Sequence, residues 1–450
     1  WTDEGWPRYF ATVERWQAEP WREKTAVEIL DSVRVLTEAA IDAYMALVSG
    51  VIPAAWISEG LFTLVYKVLV KRRDDPSAPV YLMGYDSVPV RAEKALYDLA
   101  RWAGERADLA AYLGETPASQ IVGQLGQDAP QGVDAGTWDA WGERFEAHLA
   151  QYGHTIYNLD FGSPVPADDA APLLETLKMF LSGQGADPHA RQQTAAGQRE
   201  QAAQAALVRL KGPRLRLFRR ALGSAQRYAP LREDGLADVG LAYPLLREML
   251  HEVGERLVEG AAISAADDIY WLTEEQVVEA ASALDRGEAL PSLSDRVKEH
   301  KAIWRAVRKA TPPLGLFKVM GKMMVKGETS RAERRARARK GAQDMLKGVA
   351  ASPGQVTAPA CVLHGPEDFY KMRTGDVLVA ALTTPAWTPL FARAAAVVTD
   401  IGGPLSHGSI VAREYGIPAV LGTGEATRRI ESGQVITVDG SAGVITLEGS

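Results

Sequence analysis

The residues in this chain best suited to chemistry cluster around one histidine at a loop-to-helix junction. Gly402 and Gly403 free the backbone ahead of Pro404, Leu405, Ser406 and His407. Small and apolar residues then run on at helical spacing from Gly408 to Tyr415. Ile410 and Val411 fall three and four residues beyond His407 and share its side of a helix. Gly416 is placed as a C-cap, and Pro418 forbids continuation. His407 is therefore expected on the first turn of a short helix, where unpaired amides and the macrodipole favour an anion. A neutral imidazole is available at neutral pH, since its ordinary pKa is about 6.5. It can attack phosphorus, and the phosphoryl group would then rest against the loop around Gly403, Ser406 and Gly408. Taken bare, a Ser-His pair opening a helix is more often a cap or a packing element, so the case depends on what surrounds it.

Short apolar runs surround it. Ala360–Leu363, Val377–Ala380, Ala396–Thr399, Ala419–Leu421 and Val435–Val438 are strand-like and are separated by glycine and proline. They predict a compact β/α domain over 346–450, joined by a hinge near Gly341–Ala351. Residues 1–345 instead carry apolar residues at three- and four-residue spacing, which predicts a large, mainly α-helical region with a sub-boundary near 150. Helices are expected over Ala26–Leu47, Arg91–Ala103, Trp138–Tyr152, Pro172–Leu181, Arg191–Lys211 and Tyr243–Val258, with Lys71–Ser77 a polar break. Thr273 reads as an N-cap whose capping box Gln276 completes. The chain is thus multidomain.

The totals exclude several classes. A chain of 450 residues can bury a large core and suggests two to four domains. A formal charge of −7 argues against nucleic acid as the main partner. The basic run from Arg331 to Lys340 has no interleaved aromatics and reads as a solvated face or linker, with electrostatic docking of a mobile domain as the alternative. Cys361 is the only cysteine, which rules out a disulfide framework or a cysteine-rich metal site. No metal is expected on these residues, and a cytoplasmic setting is expected. The most apolar stretch, Ala43–Val70, is interrupted by Pro53, Glu59 and Lys67. It reads as buried helices or an apolar pocket wall, not a membrane span. The chain opens at Trp1 without an initiator methionine, which is read as a fragment of something longer or the product of processing.

Residues 346–446 closely resemble the swivelling phosphohistidine domain of the phosphoenolpyruvate-utilising (dikinase) superfamily. The resemblance is carried by Gly348–Gly354, Gly375–Ala380, Trp387–Phe391, the His407 loop and Val438–Gly440. Upstream, Tyr152–Pro164, Leu231-Arg232-Glu233 and Asp267–Thr273 stand in the order found in rifampin phosphotransferase-like proteins. The resemblance implies a relay in which ATP is bound elsewhere and His407 accepts its β-phosphoryl group. The domain then turns to deliver that group to an acceptor, with AMP and phosphate as products. It also implies that Arg232 neutralises the transferring group and Glu233 orients or deprotonates the acceptor hydroxyl. A surface Arg-Glu pair on a helix is the plain alternative.

Thr383, Thr384 and Ser406 are candidate hydroxyl donors near the phosphohistidine, and Trp387 and Phe391 are expected to pack beneath the loop. His154 is a candidate acceptor-binding residue, although a buried loop histidine fits as well. Trp56 and Phe62 hint at an apolar or aromatic small-molecule acceptor. Leu236 replaces the basic residue of antibiotic-modifying members, which argues against rifampin itself. Leu405 replaces the regulatory threonine of the dikinases, so control by phosphorylation there is not expected.

No P-loop or ATP-grasp pattern is found, so ATP and Mg2+ are expected on an ATP-grasp domain or subunit outside these residues, as in phenylphosphate synthase-like systems. The rivals are a ligase that phosphorylates its substrate before condensation, and a non-catalytic carrier or binding protein.

Overall fold

The computed structural model describes residues 5–160, 162–308, 345–404 and 406–447. The basic run 331–340, Leu405 and residues 341–344 of the expected hinge lie outside them. By internal contacts the chain divides into two compact units. One comprises Trp1–Gly5, Ala43–Leu241 and Gln343–Ser450, the other Trp6–Asp42 and Ala242–Ala342. The C-terminal domain therefore groups with the middle of the helical region, whereas the sequence alone puts the divide at 345.

The C-terminal domain is an eight-stranded mixed sheet in the order β1-β8-β7-β3-β4-β5-β6-β2. Its strands are β1 Met345–Lys347, β2 Val349–Ser352, β3 Gln355–Leu363, β4 Val377–Ala380, β5 Ala396–Thr399, β6 Ala419–Leu421, β7 Val435–Asp439 and β8 Val444–Leu447. Strands β3 to β6 pair in parallel and the remaining ladders are antiparallel. Every residue of β4 and β5 is buried, as parallel strands covered on both faces must be. Leu378, Ala380 and Val397 face one core with Trp387, Phe391, Val411 and Ala412. Val377, Val379, Ala396 and Val398 face the other with Ile436, Val438 and Ile445. That is the period of two made visible.

Part of the expected hinge is sheet instead. Leu346 pairs with Ile445, and Ala350 with Val420. Gly348 between them serves close packing rather than freedom, because a Cβ there would lie 2.5 Å from the Leu421 carbonyl oxygen.

Among the described residues, the helical part of this unit packs around two apolar clusters. Trp138, Trp141 and Phe145 of the Ala135–Tyr152 helix pack with Leu96, Leu99, Leu174 and Leu177. Phe62, Tyr66, Tyr81 and Phe218 form the second. A 27-residue helix, Gly212–Asp238, has no counterpart among the sequence expectations. Its arginines blur the apolar period, and Pro230 lies inside it, where proline normally breaks a helix.

The apolar stretch is only partly buried, against expectation. Ala26–Val70 is helical throughout and long and apolar enough to cross a membrane, with 22% of its most apolar window buried. Leu47, Val51, Ala55, Phe62 and Val65 are buried, while Ile57, Leu61, Leu64 and Val68 lie exposed.

The second unit is built from helices. In it Asp285 accepts from the Ala26 and Val27 amides (both 2.9 Å), a carboxylate seated at a helix start. Thr273 and Gln276 form the expected capping box.

Candidate active site

Local chemistry sets His407 at the head of its helix. Gly402 has φ +152°, a conformation that favours glycine, and a Cβ there would crowd Leu421, Ser406 and Thr399. Ser406 is the extended N-cap, but its hydroxyl does not cap the helix. It donates to the Gly403 carbonyl oxygen (2.9 Å), as Ser409 also does (2.5 Å). The helix His407–Tyr415 ends at Gly416 with φ +67°, the left-handed C-cap expected.

The imidazole is 6% exposed. Its Nδ1 lies 3.0 Å from Glu233 Oε2, and its Nε2 lies 3.3 Å from Thr388 Oγ1. The Phe391 ring stands edge-on at 6.3 Å. Burial alone would raise the Glu233 carboxyl, but the His407 hydrogen bond and the Arg232 charge outweigh it and hold it at about 2. An ionised Glu233 accepts from Nδ1–H, which leaves the lone pair on Nε2. The single Thr388 hydroxyl proton goes to the Pro385 carbonyl oxygen (2.8 Å), so Oγ1 is a close neighbour of Nε2 and not its donor.

Arg232 is 4% exposed. Its Nε donates to Glu233 Oε1 (3.1 Å), and Nη1 stands 3.6 Å from Glu59 without a hydrogen-bond partner. The guanidinium is thus held between two carboxylates, Glu233 and Glu59, with Nη1 the less tightly engaged of its donors. Burial raises the Glu59 carboxyl despite Arg232 and Arg413, and burial lowers Arg413.

His407, Thr388, Arg232 and Glu233 line a narrow cleft of about 30 Å3, room for a water or two, whose walls include Tyr85, Pro89, Val90, Ala229, Pro230, Ile410, Val411, Glu414 and Tyr415. Burial, with Glu233 adding like charge, pushes the Glu414 carboxyl up to about 7. Among the described residues no three His, Cys, Asp or Glu side chains converge as a metal site.

His407, Arg232 and Glu233 thus meet across the cleft. The other expected site residues stand elsewhere. Thr384 gives its hydroxyl to the carbonyl oxygens of Ile156 (2.8 Å) and Tyr157 (3.3 Å), and Thr388 is the threonine beside His407. Gly408 sits tight against Thr383, whose hydroxyl would lie 2.7 Å from a Cβ there. Trp387 packs as expected and donates from Nε1 to the Tyr157 carbonyl oxygen (3.2 Å). His154 is buried 3.5 Å from Asp238 and does not line the cleft. Phe62 is enclosed in the aromatic core, and Trp56 is 44% exposed away from the cleft. Glu414 was findable, since it falls seven residues after His407, on the same helix face as Ile410 and Val411. Thr388 lies in the Trp387–Phe391 block that carries the resemblance but is not among the hydroxyls expected near His407, and Glu59 gives no comparable signal.

Residues 372–443 match the family described as PEP-utilising enzyme, mobile domain, and residues 43–233 match the rifampicin phosphotransferase fourth domain. Both sides of the cleft therefore fall inside matched segments. The chain is 31% identical over 391 residues to chondramide synthase cmdD of Chondromyces crocatus, covering 83% of this chain and 10% of that protein. It is 34% identical over 217 residues to a rifampicin phosphotransferase of Streptomyces sviceus, covering 48% of this chain and 23% of the relative. A phosphoenolpyruvate synthase of Aeropyrum pernix is 50% identical over 102 residues, 22% of this chain and 12% of its own length. The chain spans less than a quarter of the length of each of these relatives. Residues 372–443 are thus a mobile domain of the PEP-utilising enzymes, and residues 43–233 are of the rifampicin phosphotransferase fourth-domain type.

Proposed function

We propose that the chain is the acceptor-binding and carrier portion of a dikinase-type phosphotransferase. His407 takes a phosphoryl group that originates from ATP and passes it to a hydroxyl of a small apolar or aromatic acceptor. ATP and Mg2+ would be held by a domain or subunit outside these residues, and AMP and phosphate would be released. The observation that carries this reading is the His407 Nδ1 to Glu233 Oε2 contact of 3.0 Å, with the Arg232 guanidinium beside it.

Charging begins when the Nε2 lone pair attacks phosphorus and the bond from phosphorus to the donor oxygen breaks. Glu233 holds the Nδ1 proton and balances the positive charge that develops on the ring. In delivery the acceptor oxygen attacks phosphorus, the P–N bond breaks, and its electron pair returns to Nε2. Arg232 offers its Nη1 donor to the equatorial oxygens as charge builds there. Glu414, poised near neutrality in the same cleft, takes the acceptor proton. Glu233, held at about 2 and committed to Nδ1, is the weaker base. The apolar walls, Pro89, Val90, Ala229, Pro230 and Ile410, support an apolar acceptor.

The full chain treated with phosphoramidate, a chemical phosphoryl donor to histidine, is expected to gain one acid-labile phosphate on His407 by mass spectrometry. A chain that gains none, or gains it elsewhere, sinks the reading. A second reading has the phosphorylated acceptor consumed in a condensation. The observation that favours it is the 391-residue match to a protein named a synthase. Incubation with the ATP-binding portion and candidate phenols separates the two: a phosphate ester as end product favours transfer, and a condensed product favours the ligase.

A further inference from the structure

The helix that carries His407 is held at both ends. Its first residue meets Glu233, and its last, Tyr415, meets a different part of the helical region. Nine residues at 1.5 Å rise put the two contacts roughly 12 Å apart along one stiff rod. Tyr415 Oη donates to Glu93 Oε1 (2.5 Å), and its ring lies under the Arg191 guanidinium at 3.8 Å. Glu93 is 3% exposed and is gripped by both Nη atoms of Arg191, Nη1 reaching Oε1 at 3.2 Å. The receptor is therefore built within the helical region: Glu93 lies on the Val88–Gly104 helix and Arg191 on the Pro188–Arg209 helix. Beside it, Glu414 accepts from the Gly84 amide (3.3 Å).

Tyr415 itself carries no reacting atom, although its neighbour Glu414 is the proton acceptor of the reading above and both line the cleft. A phenol donating to a buried carboxylate while stacked beneath that carboxylate's own cation is a charge-assisted contact, stronger than a neutral hydrogen bond. Away from the His407 helix the hydrogen-bonded links between the two regions are neutral: Thr384 and Trp387 reach backbone carbonyls, and Thr374 meets Gln184 at 3.3 Å.

We propose that Tyr415 is a positioning residue that latches the carrier helix onto the Glu93–Arg191 fork, holding the His407 imidazole against Glu233 and the cleft. This rests on the carrier reading above, in which the domain must arrive at the acceptor and leave it again. The latch sets the lifetime of the docked state and takes no part in bond making.

The test uses the full chain, its Tyr415→Phe and Glu93→Gln variants, hydrogen–deuterium exchange, and phosphoramidate as the phosphoryl donor. In both variants the His407–Tyr415 helix and residues 84–96 should exchange about tenfold faster or more, the worth of a hydrogen bond to a charged group. Strands β3 to β5 should keep wild-type exchange, and His407 should charge faster because it spends more time undocked. Glu93→Gln keeps an acceptor oxygen but loses the charge and weakens the Arg191 pair. On the His407–Tyr415 helix its effect should therefore not exceed that of Tyr415→Phe, and the double variant should be no faster there than Tyr415→Phe.

Wild-type exchange of both segments in both variants overturns the latch. If Tyr415→Phe also loosens the strands, Glu93→Gln, which leaves the carrier domain untouched, decides alone. Absence of acid-labile phosphate on wild-type His407 is a failure of the carrier reading, and the exchange result still judges the latch.

Discussion

Two buried histidines face carboxylates on the same helix, and only one of the two lines the cleft. His407 meets Glu233 at 3.0 Å, and His154 meets Asp238, five residues further along, at 3.5 Å. The difference lies in what stands on the far side of each ring. Beyond His407 are a threonine hydroxyl, a guanidinium and a cleft. Around His154 the chain is packed shut: a Cβ on Gly240 would lie 2.2 Å from its carbonyl oxygen, and Nε2 has no hydrogen-bond partner. An imidazole–carboxylate pair is therefore common structural material. What sets the His407 pair apart is a neighbouring guanidinium and a lining shared with a cleft.

The sharpest way to break this comparison is to remove each ring in turn. His407→Ala should abolish acid-labile phosphate, a loss of at least about a thousandfold. His154→Asn should charge at the wild-type rate while destabilising the fold by about 1–2 kcal/mol. Loss of charging in the His154 variant, with the fold intact by circular dichroism, would make the two sites functionally alike. Next in size is Arg232→Gln. It removes the guanidinium and should slow delivery to an acceptor by about a hundredfold, on the scale of one oxyanion-hole donor. Arg232→Lys should recover only part, because a single ammonium cannot replace a planar fork. Equal rates for all three proteins would remove Arg232 from the mechanism.

Glu233→Gln comes third. The amide oxygen can still accept from Nδ1–H, so orientation survives while the charge is lost. Charging by phosphoramidate should slow about tenfold and keep its site on His407. An unchanged rate would reduce Glu233 to a packing partner.

The residues that were legible in the sequence are those whose role is local. Gly402, Ser406, His407 and Gly416 act within one loop and one helix, so their order along the chain already describes their geometry. The strands showed themselves in the same way, as short apolar runs between glycines. Phe62 misled because a helix turns an aromatic toward core or cleft according to a rotation that composition does not give. Here the Phe62 ring went to Tyr66, Tyr81 and Phe218. Glu93 and Tyr415 are 322 residues apart, and nothing local marks either as the other's partner. Pro230 hid the Gly212–Asp238 helix that supplies Arg232 and Glu233, although it lines the very cleft they serve.

The smallest effect expected is one of pH, and it contrasts the two glutamates of the cleft. Glu233 is stabilised as the anion, so its contribution to stability is present above its ordinary value of 4.5 and is lost as pH falls toward about 2. Glu414 behaves in the opposite sense. Burial raises it from 4.5 to about 7, so between those values the folded chain holds a proton that the unfolded chain has released. Stability therefore falls as pH rises through that window and stays lowered above it. Glu414→Gln keeps an acceptor for the Gly84 amide but cannot titrate. Relative to wild type, the variant should gain on the order of 1–2 kcal/mol between pH 5 and pH 8, read as a shift in thermal midpoint. Parallel pH dependence of the two proteins would mean that Glu414 is solvated enough to ionise normally. The proton taken from the acceptor would then have to go to another group in the cleft.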